Sequence, residues 1–151
     1  MTVKVVDKGW NAMVDRLSQD AYSKVGYPTN TVSHGEGLSV VDVAAFHEFG
    51  TKDIPIRAHV RSTYDEKIED LSKMSAAELG KVVDGRQTVK MAMARLGEFH
   101  AGQIKTKINE GPFKELSPKT IAAKGSDRPL IDTGQMIQSV DHVEGFGNGT
   151  L

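Results

Sequence analysis

The adjacent pair His47-Glu48 has the residue types of a zinc hydrolase site. That chemistry needs a second imidazole four residues on, so that two ligands stand one helical turn apart on one face. The fourth position after His47 is Thr51, and Gly50 would end the helix before a second ligand could align. The preferred reading is structural: a histidine at a helix end, held by polar contacts. A small metal-dependent hydrolase using His47, Glu48 and another histidine stays as an alternative. His34, His59, His100 and His142 form no pair at metal-ligand spacing on a predicted helix.

Other chemistries are less well equipped. No Gly-x-Ser-x-Gly stretch offers a serine on a strained turn. Gly35-Glu36-Gly37 and Gly145-Phe146-Gly147 do not continue into a phosphate-binding fingerprint. With no cysteine, the chain has no disulfide, thiolate metal site or thiol nucleophile. Arg57, His59 and Arg61 alternate along an extended segment, where they could meet an acidic partner or phosphate; ordinary solvation of that face is the preferred account. Asp65, Glu66, Glu69 and Asp70, mixed with Lys67 and Lys73, read as a solvated helix face. Lys105, Lys107, Lys114, Lys119 and Lys124 make one region locally basic, which supports a second alternative, a nucleic-acid-binding module. No catalytic residue, metal or cofactor is expected.

The 19 basic and 20 acidic residues nearly cancel, which argues against a domain held on nucleic acid by its overall field. A chain of 151 residues suits one domain, which buries roughly 70% of its unfolded surface. The start, Met1 to Lys8, lacks the apolar core of a signal peptide, and no run approaches the ~18 apolar residues of a membrane span. A soluble protein, cytoplasmic when made, is expected. The modest apolar content suggests that a partner chain completes some of the burial.

These residues must be positioned by short elements. Residues 2–6 alternate and favour a strand. A helix from Gly9 to Gln19 would place Trp10, Met13, Val14 and Leu17 on one face. Tyr22 to Tyr27 reads as a strand, and 28–37 as a mobile loop. Ser39 with Asp42 starts a helix that Gly50 stops. Pro55 keeps Thr51 to Arg61 extended. Helical periodicity runs from Arg61 to Val83, with a break or kink near Met74 where Ser75 and Glu78 form a capping-box pattern. A second long helix spans Thr88 to Asn109, and its Gly97 and Gly102 can permit close backbone approach. Ser117-Pro118 starts a short helix ending by Gly125. A flexible loop at 125–129, the apolar anchor Leu130-Ile131, a helical turn capped by Asp132 or Thr133, and a strand from Asp141 to Phe146 complete the chain.

Three stretches carry a resemblance. His47-Glu48-Phe49-Gly50-Thr51 with Ile54-Pro55-Ile56-Arg57-Ala58-His59-Val60-Arg61 comes first, then Ser117-Pro118-Lys119-Thr120, then Pro129 to Val140 with Asp132-Thr133-Gly134 at its centre. In order and spacing they resemble the tail-completion, or head–tail joining, proteins of tailed-phage necks. Ala58-His59 stands where the family frequently has Pro-Phe, and Met136 where it frequently has Leu. The resemblance implies an α+β protein; with the elements above this is a small antiparallel sheet packed with two longer helices and several short ones, in a single domain over 1–151. It further implies a virion protein that assembles in host cytoplasm into a sixfold or twelvefold ring between capsid connector and tail-terminator or tail-tube proteins. Such a ring surrounds the DNA channel, where the lysines could touch DNA non-specifically, and contacts no membrane. His47, Glu48, Phe49, Gly50, Pro55, Arg57, Arg61, Asp132, Thr133 and Gly134 are the candidate interface or motif residues, with Arg57 or Arg61 suited to a forked ion pair with a neighbour.

Overall fold

The computed structural model describes residues 7–28, 33–34 and 37–147. The expected strand at 2–6 and most of the 28–37 loop lie outside them. In chain order the elements are α1 (Trp10–Leu17), β1 (Ala21–Gly26), β2 (Ser33–His34), β3 (Leu38–Ser39), α2 (Val40–Phe49), α3 (Arg61–Val83), α4 (Val89–Glu110), α5 (Pro118–Lys124), α6 (Gln135–Gln138) and β4 (Asp141–Phe146). The fold is α+β: a two-stranded antiparallel ribbon, β1 with β4, packs with two long helices and several short ones. β2 and β3 form a second, minimal antiparallel pair.

The ribbon runs in register from Ala21 opposite Phe146 to Gly26 opposite Asp141. It lies against α4 at Gly97. A Cβ there would come within 2.3 Å of Ser23 Oγ and 2.5 Å of the His142 ring, so the bare backbone is what allows contact. Gly102, by contrast, faces open space. The core lies where α2, α4, α6 and the ribbon meet, with Val40, Ala44, Ala101, Ile104, Ile108, Leu130, Met136 and Val140 buried together. On α4 the buried row is Ala92, Gly97, Ala101, Ile104 and Ile108. Three of these five are small, where Val89, Met93 and Leu96 are expected on this face, and at Gly97 the ribbon approaches too closely for a side chain.

α3 runs unbroken through Met74, so the expected break is absent. No proline interrupts 61–83, and Glu78 does not cap a new helix start. Its side chain, 4% exposed, instead accepts from Gln87 Nε2 at 2.7 Å and pairs with Lys81 and Arg95, tying α3 to the start of α4. The hydrogen bonds from Lys81 and Gln87 hold its carboxyl below the ordinary range. At the same C-terminal end of α3, Arg16 of α1 donates to the carbonyls of Val82 and Val83, at 3.0 and 2.8 Å, satisfying acceptors that a helix end leaves open. The apolar face of α1 is not covered among the described residues: Trp10 is 67% exposed, and Val14 and Leu17 are exposed too.

Candidate functional site

α2 begins with the expected cap. Ser39 accepts from the Asp42 amide at 3.1 Å, and Asp42 accepts in return from the Ser39 amide at 3.1 Å. The Ser39 hydroxyl, which donates to the Asp42 carboxylate at 2.6 Å, and then the Ser39 amide draw that carboxyl below its usual value. The helix stops at Gly50, whose φ of 76° and ψ of 166° suit only glycine. A Cβ at Gly50 would also sit 2.8 Å from Ile56 Cγ1. The chain then reverses. The Thr51 hydroxyl accepts from the Ile54 amide at 3.1 Å, the Thr51 amide donates to the Ile54 carbonyl at 2.9 Å, and the Arg57 amide donates to the His47 carbonyl at 2.7 Å. The segment from His47 to Arg57 is therefore a closed turn whose two arms are bonded together.

This turn corrects the solvated-face reading of Arg57 and His59. Arg57 is 5% exposed and His59 fully buried, while Arg61 is exposed. Alternation assigns one face to all three only if the segment is straight, and it is not. His59 Nδ1 lies 3.2 Å from the Arg57 carbonyl and 3.5 Å from Glu48, which places a proton on Nδ1 and leaves Nε2 to accept from the Tyr27 hydroxyl at 2.7 Å. Burial pushes His59 below its usual value, opposed by the Arg57 carbonyl and Glu48. Burial, then the Glu48 charge, raises Tyr27.

Glu48 and His47 part company. The Glu48 carboxylate accepts from the Val60 and Arg61 amides, both at 2.9 Å, so it caps the start of α3 from another element. Two of the unpaired donors at that helix end are satisfied, and the negative charge sits at the favourable end of the dipole. His47 turns the other way, to the wall of a cleft. Its Nδ1 is buried without a partner among the described residues. Burial, followed by the charges of Arg57, His59 and Lys124, pushes it down to about 4, so it is neutral at pH 7.

The cleft has a volume of about 490 Å³ and brings the resembling stretches together. His47, Pro55 and Arg57 line one side; Ser117, Thr120 and Lys124 of the α5 region and Asp132, Thr133 and Gly134 line the other. Arg57 spans it, with Nε donating to the Lys114 carbonyl at 3.0 Å and Nη2 to the Glu115 carbonyl at 3.4 Å. Burial lowers both the Arg57 and Lys124 values; for Lys124, Asp132 opposes the effect. Ser117 caps α5 as expected, accepting from the Thr120 amide at 3.2 Å. Neither Asp132 nor Thr133 caps α6: Gly134, in the left-handed region at φ 81°, holds the cap position without a side-chain bond, and Thr133 takes only a long 3.4 Å bond from the Gln135 amide. The loop at 125–129 is tied down through Arg128, which donates to Asn109 Oδ1 at 3.0 Å.

Glu48, Phe49 and Arg61 lie outside the cleft. They border a shallow apolar groove with Gly26, Tyr27, Val41, Ala44, Ala45 and Val60. Phe49 is 67% exposed beneath the Arg61 guanidinium, 5.8 Å from its ring centre, and Ile56 is 61% exposed. Of the five lysines, Lys107 pairs with Glu66 on α3 at 2.6 Å, while Lys114 and Lys124 line the cleft. Among the described residues no group of three histidines or carboxylates is placed to hold a metal ion, and no helix is long and apolar enough to cross a membrane. Tyr27 and the Lys114 and Glu115 carbonyls are the partners that sequence reasoning missed; backbone acceptors carry no signal in side-chain identity. Comparison of the chain with protein-family models, curated proteins and solved structures gave no match.

Proposed function

We propose that this chain is a structural protein of a tailed-phage virion, forming a sixfold or twelvefold ring in the neck, between capsid connector and tail, around the DNA channel. One observation supports this most. The polar residues of the resembling stretches are used inside the chain, Glu48 on α3 amides and Arg57 on loop carbonyls, while the apolar Phe49 and Ile56 of the same stretch face outward. A polar framework that is internally satisfied and displays large apolar side chains is suited to assembly. The hydrolase alternative gains no support, because Glu48 would have to leave two amides to serve as a base.

In this reading the protein is made in host cytoplasm, docks on connector and tail-terminator or tail-tube proteins, and meets DNA only through scattered lysines. Electron microscopy of particles from a phage lacking this gene tests it. The expected result is filled heads and free tails that do not join; stably joined particles would sink the proposal.

A further inference from the structure

Arg57 is a buried cation without an anion. It is 5% exposed, and no carboxylate among the described residues lies within ion-pair reach of it. Two of its nitrogens are held by carbonyl oxygens, and Nη1 donates to nothing among the described residues. Nη1 is also not among the sealed, unpartnered polar atoms, so it keeps an open side, and Arg57 lines the cleft. Removing a charge from water is costly unless an opposite charge replaces the lost hydration, and two neutral carbonyls replace only part of it. Lys124 stands on the same cleft, where burial lowers its value and Asp132 and Asp127 oppose that effect. The remaining walls include Val43, Leu130 and Met136, which are apolar.

From this we infer that the cleft is a binding site for a small amphipathic carboxylate, its oxygen on Arg57 Nη1 and its apolar body against Val43, Leu130 and Met136. Two of the five guanidinium N–H groups are used, so both on Nη1 and the second on Nη2 remain, a pair suited to a carboxylate. A phosphate dianion would bring a second charge towards Asp53 and Asp132 on the same walls and has no apolar body to set against Val43, Leu130 and Met136. The volume of about 490 Å³ is in the range of small-molecule sites. The site stands independently of the neck assignment, since it requires only the folded chain.

The test is titration of the isotope-labelled full chain at pH 7 with hexanoate, hexanamide and inorganic phosphate, followed through the backbone amides. Hexanoate is expected to give saturable shifts at Lys124, Thr133 and Gly134, with hexanamide and phosphate at least tenfold weaker. R57Q should weaken hexanoate binding at least tenfold. Should R57Q fail to fold, the comparison of hexanoate with its amide decides the matter on the unaltered protein. Equal binding of acid and amide, tighter binding of phosphate, or shifts confined to other surfaces would overturn the assignment.

Discussion

Replacing Glu48 removes two amide acceptors at the start of α3 in a single step. Glu48→Ala is expected to cost about 2–3 kcal/mol, since charge-assisted hydrogen bonds to a buried group are lost and two donors are stranded. Glu48→Gln keeps an acceptor and should cost less than half as much. Urea denaturation of both variants checks the order; equal losses would mean that the capping bonds contribute little. His47 gives a second prediction at this scale. Its folded value is about 4 against an ordinary 6.5, so as pH falls from about 6.5 towards 4 the unfolded chain takes a proton that the folded chain refuses. Stability is therefore full above 6.5 and declines below it, with His59 and His100, also lowered by burial, adding in the same direction. Each such proton steepens the decline by about 1.4 kcal/mol per pH unit. Denaturation midpoints at pH 7 and pH 5 should lie closer together in His47→Gln than in the parent chain; an unchanged gap would remove His47 from the account.

The two glycines of α4 share a helix and an intrinsic penalty but not an environment. Gly102→Ala should stabilise by up to about 1 kcal/mol, the helix-propensity gain with nothing to clash. Gly97→Ala should destabilise by about 1–3 kcal/mol despite the same gain, because the new methyl meets Ser23 and the His142 ring. Thermal melts of the pair check the opposite signs. The sequence showed that both glycines could admit a close backbone. It could not show which one does, because the ribbon that approaches is made from residues 21–26 and 141–146, far from α4 along the chain. The continuity of α3 was hidden for a similar reason. Ser75 and Glu78 have the spacing of a helix start, and only the Gln87, Lys81 and Arg95 side chains around Glu78 make it a link between helices.

For the molecule as a whole, the outward apolar residues decide how the neck proposal is tested in solution. Phe49→Glu alters a side chain that is 67% exposed, so the circular dichroism spectrum and melting temperature should remain close to those of the parent. Oligomers seen by sedimentation, and rescue of head–tail joining by the supplied gene, should both be lost. Normal joining by the Phe49→Glu protein would exclude this surface from the interface. Trp10, the chain's only tryptophan, is 67% exposed on α1, whose Arg16 docks at the opposite end of α3 from the Glu48 cap.

Local rules were enough for much of this chain. Ser39 with Asp42, Gly50, Ser117-Pro118 and Gly125 mark helix ends through their own backbone geometry and short-range hydrogen bonds, and each acts within a few residues. The sequence by itself therefore determined where most elements start and stop. It did not determine the cleft. Arg57 is buried because the turn at Gly50 folds it under the Lys114 and Glu115 carbonyls, and Glu48 faces away from His47 because the amides of Val60 and Arg61 come back to meet it. Burial, the partners of a charge and the sign of a glycine substitution depend on residues distant in sequence, so only the tertiary structure decided them.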